Sequence, residues 1–139
     1  MQRALNYRDT KIQTASPGKL ILLLYDGALR FSRTAMDKIA KGDIEGAHNN
    51  IIKTQNIVTE LDLILDMQNG GEIAGNLRKL YNFILKHLVK ANVEKNARCL
   101  EEVIHLIENL NEAWKTVVNK EELRSAPPTA PLAGVSFTG

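Results

Sequence analysis

Apolar residues recur at intervals of three and four along most of this 139-residue chain. That spacing gathers them on one side of a helix with 3.6 residues per turn, and four such stretches are predicted. The first begins at Ser16, whose hydroxyl can accept a hydrogen bond from an otherwise unpaired amide, with Pro17 pre-set for the first helical position. It ends at Lys41-Gly42, and its inward stripe is Leu20, Ile21, Leu24, Ala28, Phe31, Ala35 and Ile39. Asp43 caps the second, which turns Ile44, Ala47, Ile51, Val58, Leu61 and Leu65 inward until Asn69-Gly70-Gly71 stops it. The third is predicted from about Glu72 to Ala91, burying Ile73, Leu77, Leu80, Ile84 and Leu88, with Asn92 ending it. Asn96 caps the fourth, which places Leu100, Val103, Ile104, Ile107, Leu110, Trp114 and Val117 on one face and fades between Lys120 and Arg124.

No proline interrupts the chain between Pro17 and Pro127, and no run alternates apolar with polar residues as a half-buried strand would. The expected fold is therefore all-α. Three short connections force neighbouring helices to run antiparallel, giving an up-down-up-down four-helix bundle over residues 16–124. Residues 1–15 carry Tyr7 and Ile12 among polar neighbours, too few apolar side chains to offset their own ordering entropy unless they lie on the bundle; a mobile N-terminal arm is expected. From Ser125 onward, Ala-Pro-Pro-Thr-Ala-Pro and the short side chains that follow read as a disordered tail over residues 125–139.

Composition narrows the function. With 44% hydrophobic residues the chain can bury a core. A net charge of +2 falls far short of the basic excess that contacts to a run of phosphates require, so nucleic acid is not an expected partner. The longest apolar run, Leu20 to Tyr25, is too short to cross a bilayer, so no membrane insertion is expected. The single cysteine, Cys99, and the lack of a secretory leader pattern suit the reducing cytoplasm.

Catalytic patterns are present but fail on geometry. Glu45 and His48, and again Glu102 and His105, match the Glu-x-x-His of di-iron bundles. At about 100° per residue, though, Glu102 and His105 point away from the apolar stripe of their helix, Glu45 does the same, and the other helices lack the further carboxylates; no metal or other cofactor is expected. His87-Leu88-Val89-Lys90-Ala91 partly resembles the His-x-x-Lys-Gly of histidine phosphotransfer bundles, which makes phosphotransfer through His87 the alternative reading. On the wheel, however, His87 flanks the buried stripe rather than facing solvent. Cys99 has no histidine at helical spacing to deprotonate it, and Gly70-Gly71 lack the lysine of a phosphate loop, so an enzyme is not expected. Arg78, Lys79, Lys86 and Lys90 read as a solvated face.

What survives geometry is an apolar surplus. Leu22, Tyr25, Leu29 and Met36 form a second stripe about 100° from the inner one on the first helix. Ile52, Leu63, Ile57 and Ile64 on the second, and Phe83, Leu85 and Val89 on the third, also fall outside the inward faces. A band this wide calls for a cover: the Tyr7 arm, a second copy as a homodimer, or a partner.

Several blocks then match a known pattern. Tyr7, Thr14-Ala15-Ser16-Pro17, Lys19-Leu20-Ile21 and Leu24-Tyr25-Asp26-Gly27 form an opening signature. Glu60-Leu61, Leu65-Asp66, Gly70-Gly71-Glu72-Ile73-Ala74, Asn76-Leu77 and Leu80-Tyr81 form a central one, followed by Ala91-Asn92, Leu100-Glu101-Glu102-Val103 and Ala113-Trp114. In this order, over roughly residues 7–117, they resemble the flagellar secretion chaperone family, FliS. The departures are Asn96 in place of an aspartate cap and the proline-rich tail, which has no family counterpart. The resemblance implies a cytoplasmic export chaperone that binds the C-terminal segment of unpolymerised flagellin, prevents its premature polymerisation and engages the export gate of the flagellar type III apparatus. Combined with the wheel, it makes Leu22, Tyr25, Leu29, Ile57, Ile64, Leu80, Tyr81 and Ile84 the expected client-binding residues. Tyr7 and Ile12 become an N-terminal lid.

Overall fold

The computed structural model describes residues 16–125. Those residues form helices α1 (Pro17–Ala40), α2 (Ile44–Leu63), α3 (Gly71–Glu94) and α4 (Ala97–Ser125). Each of α1 and α3 packs against both α2 and α4, as an up-down-up-down bundle requires. The arm with Tyr7 and Ile12, and all but the first residue of the expected tail, lie outside the described residues.

Three caps are the predicted ones. The Ser16 hydroxyl accepts from the Lys19 amide at 3.3 Å, the Asp43 carboxylate accepts from the Gly46 amide at 2.9 Å, and Asn96 Oδ1 accepts from the amides of Arg98 at 2.9 Å and Cys99 at 3.3 Å. Two helix ends differ from expectation. α2 stops at Leu63 although apolar periodicity continues through Ile64 and Leu65. Here Asp66 folds the chain into a local turn instead, accepting from the Asn69 amide at 3.0 Å and the Asn69 side chain at 3.1 Å. Those bonds hold its carboxyl below the usual carboxylate range. In turn α3 runs past Asn92 to Glu94, because the Asn92 side chain bonds His48 of α2 rather than its own backbone. Lys95 takes the left-handed cap position at φ 50, and its ammonium donates to the Asn92 carbonyl at 2.6 Å.

Ala28, Ala35 and Ala47 are wholly buried among the larger Leu24, Ile51, Val58, Leu61, Ile84, Leu88, Leu100, Val103 and Ile107. Small residues there let the helices approach closely. The buried hydroxyls of Ser32 and Thr54 are paired: Ser32 donates to the Ala28 carbonyl at 2.7 Å, and Thr54 to the Asn50 carbonyl at 3.0 Å. The start of α1 is pressed onto the end of α4. The Trp114 indole N–H donates to the Gly18 carbonyl at 3.0 Å, and a Cβ at Gly18 would stand only 2.9 Å from a Val118 methyl.

The inward stripes are broadly those predicted, with corrections at both margins. Tyr25, Leu29 and Ile57, read from the wheel as surplus, are core. Each of α1 and α2 packs against two neighbours, so its buried arc is wider than a single stripe. Conversely Ile44, Ile73 and Val117 are exposed, and Val118 is buried in place of Val117. Ile44 and Ile73 open their helices and Val117 lies in the last turns of α4, where fewer neighbours remain to cover a side chain.

Candidate functional site

Of the eight expected client-binding residues, Tyr25, Leu29, Ile57, Tyr81 and Ile84 are each at most 6% exposed in this chain. Leu22 and Leu80 are half-buried, and Ile64 is open to solvent. The two tyrosines explain part of this outcome. Although α1 and α3 sit diagonally across the bundle, the Tyr25 and Tyr81 hydroxyls meet at 2.7 Å in the core. Burial pushes both phenols up; the bond from Tyr81 partly opposes the rise at Tyr25, while Tyr25 and Asp62 add to it at Tyr81.

The apolar surface lies elsewhere. Leu63 at the end of α2, Ile64 and Met67 in the following turn, Ile73 at the start of α3 and Val117 near the end of α4 are all exposed. In an up-down-up-down bundle these positions share one end, the end at which Ser16 begins α1. Leu63 is 67% and Ile73 72% exposed, which is high for side chains this apolar. Phe83, Val89 and Val93 are also exposed on α3, in different directions around the helix. On the helical wheel Leu63, Phe83 and Val89 fall outside the inward faces, whereas Ile73 and Val117 fall within them. Met67 was missed because it lies in a turn, where periodicity carries no signal.

Polar side chains around this end do structural work. Arg78, read as part of a solvated basic face, clamps the end of α2: its Nε donates to Asp62 Oδ1 and its guanidinium to the Asp62 carbonyl, both at 3.1 Å. Lys79, Lys86 and Lys90 remain exposed on α3. Between α1 and α4 an open cavity of about 510 Å³ is lined by polar groups, among them Asp26, Asn111 and Lys115. There Asn111 Nδ2 donates to Asp26 Oδ1 at 3.2 Å.

Compared with known proteins, the chain matches the family model described as flagellar protein FliS over residues 1–121. The chain belongs to the FliS family. It is 34% identical to the flagellar secretion chaperone FliS of Bacillus subtilis over 115 residues, which span 83% of this chain and 85% of that protein. The Salmonella typhimurium FliS is 34% identical over 119 residues, covering 85% of this chain and 88% of the relative. For Campylobacter jejuni FliS the figures are 39% over 115 residues, 83% of this chain and 90% of the relative. FliS proteins are chaperones, not enzymes.

The residues that carry the FliS resemblance are largely those that build the bundle. Tyr25 and Tyr81 pair across it, Asp26 meets Asn111, and Trp114 ties α4 to α1. The histidine motifs show the same bias. Glu45, His48 and His105 face solvent, as the wheel placed them. His87 is not free: its Nε2 meets the Glu102 carboxylate and its ring stacks on Phe83 at 5.1 Å between centroids. A phosphoryl acceptor needs an accessible nitrogen, so this pairing disfavours the phosphotransfer reading. Cys99 also has company, though not at helical spacing on its own helix. His87 comes from the neighbouring helix, and His87, Cys99 and Glu102 hold potential ligand atoms within 4.8 Å of one another. Among the described residues no helix is long and apolar enough to cross a membrane.

Proposed function

We propose that this FliS protein binds the C-terminal segment of flagellin before export, keeps it from polymerising and hands it to the gate of the flagellar type III export apparatus. The observation that carries the reading is the set of exposed apolar residues Leu63, Ile64, Met67, Ile73 and Val117 at one end of the bundle. A segment that folds only on binding loses much conformational entropy, so its holder needs extended apolar area rather than one deep pocket. The relatives' shared name, flagellar secretion chaperone, supports the same reading.

Within the set expected from sequence, Ile64 takes direct contact with the client, while Leu22 and Leu80 form margins. Tyr25, Leu29, Ile57, Tyr81 and Ile84 act as the packed floor beneath, reached by the client only where the bundle opens. Residues 1–15 join the bundle at Ser16, at the same end as the exposed cluster. Tyr7 and Ile12 serve there as a lid that yields to the client, and a homodimer is an alternative cover in the client's absence.

Calorimetry with a peptide from flagellin's C-terminus tests the reading. One-to-one binding with a strongly negative heat-capacity change is expected; no binding at tens of micromolar protein overturns it. Deleting residues 1–15 is expected to tighten the peptide or promote self-association. Unchanged affinity together with unchanged mass removes the lid.

A further inference from the structure

The chaperone role leaves one side-chain cluster unused. His87 lies on α3; Cys99 and Glu102 lie on α4, three residues apart and so on one helical face. The donor atoms of all three fall within 4.8 Å of one another. Their environments differ in a useful way. Cys99 is 4% exposed, the His87 side chain 19% and the Glu102 side chain 56%, so the set runs from the core outward to solvent. Stacking on Phe83, with the rings 21° from parallel, fixes the plane of the imidazole.

We propose that His87, Cys99 and Glu102 form a zinc site that clips α3 to α4, with solvent at the fourth position. Sulfur, imidazole nitrogen and carboxylate oxygen are the three donors that divalent zinc prefers. Zinc bonds of about 2.0–2.3 Å set tetrahedral donors roughly 3.3–3.7 Å apart. Donors that already lie within 4.8 Å of one another need shift by only about 1–1.5 Å to reach that spacing, with the cation entering between His87 and Glu102. Without metal the imidazole and carboxylate satisfy each other. With it, the Cys99 thiol gives up its proton to solvent and the sulfur becomes the anionic ligand. A His87–Glu102 hydrogen bond by itself accounts for two of the residues; the zinc site also accounts for a buried thiol held against that pair. The chelate spans the turn at Lys95-Asn96, so it stabilises the α3–α4 hairpin by binding only the folded form.

The full chain, reduced and metal-free, is titrated with Co2+ as a spectroscopic probe and then with Zn2+. Expected are a thiolate-to-cobalt charge-transfer band and tetrahedral visible bands that saturate at one equivalent and disappear when zinc is added. In Cys99→Ser the charge-transfer band is lost. Affinity for zinc, measured against a chromophoric chelator, falls at least tenfold in His87→Gln and in Glu102→Gln, whereas His105→Gln and His48→Gln match the parent. Zinc at a hundredfold excess over its dissociation constant raises the melting midpoint of the parent by roughly 10 °C, and that of Cys99→Ser by far less. No charge-transfer band in the parent overturns the site, as does a stoichiometry above one that persists in His87→Gln. Parental affinity in Glu102→Gln overturns the three-ligand set. Because His87→Gln and Glu102→Gln alter partly exposed side chains, a folding defect in Cys99→Ser leaves the test decisive. Peptide binding by the same variants is independent of all these readings.

Discussion

Tyr25 and Tyr81 are the residues whose chemistry departs furthest from what their positions in the sequence suggest. Two phenols expected as client contacts form a hydrogen-bonded pair in the core, 2.7 Å apart. Both are raised from the ordinary value of about 10, so the folded state keeps its phenolic protons where the unfolded chain loses them. The folded form then binds more protons above that value, and stability falls as pH rises. Chemical denaturation between pH 9 and 11 is expected to show a steeper loss in the parent than in Tyr25→Phe/Tyr81→Phe; parallel curves would refute the burial that raises the phenols. At neutral pH, Tyr81→Phe alone strands the Tyr25 hydroxyl and costs about 1–2 kcal/mol, while the double variant loses less than the sum of the singles. From sequence the tyrosines were visible as part of a family signature, but their depth was not, because a wheel records direction from one axis and not the distance to a neighbour.

Helices as elements were legible where local chemistry decides them. Ser16-Pro17, Asp43 and Asn96 each state a helix start in the sequence, and each cap bond is made. Ends were less legible, since a continuing apolar pattern or a tertiary bond can outweigh a local signal. Ile64 and Leu65 prolong the apolar rhythm beyond the real end of α2, and the His48 partner keeps Asn92 helical. The turn into α3 depends on Gly71 at φ 59, a left-handed conformation that a side chain disfavours. Gly71→Ala is expected to cost about 1 kcal/mol by urea denaturation. Ser16→Ala, which removes the first cap, is expected to cost a similar ~1 kcal/mol. A neutral result for Gly71→Ala would mean that the turn relaxes to another conformation.

At the scale of the whole molecule, the antiparallel order of the helices sets which apolar residues meet solvent together. Leu63, Ile64, Met67, Ile73 and Val117 come from three different stretches of chain, and only the bundle brings them to one end. Replacing Leu63 and Ile73 by Ser is expected to leave the melting midpoint nearly unchanged, because neither is core, and to weaken the flagellin peptide by roughly fivefold for each residue. Loss of stability without loss of peptide affinity would place the client on another face. The sequence by itself determined the four helices, their caps, their antiparallel course and membership of the FliS family, because propensity, capping and periodicity act over a few residues. Tertiary structure alone decided which flank of each stripe is covered, why five of the expected contact residues are buried, and how His87 reaches Cys99 from another helix. Burial and juxtaposition depend on what the neighbouring helix places opposite, and no pattern along a single strand of sequence records that.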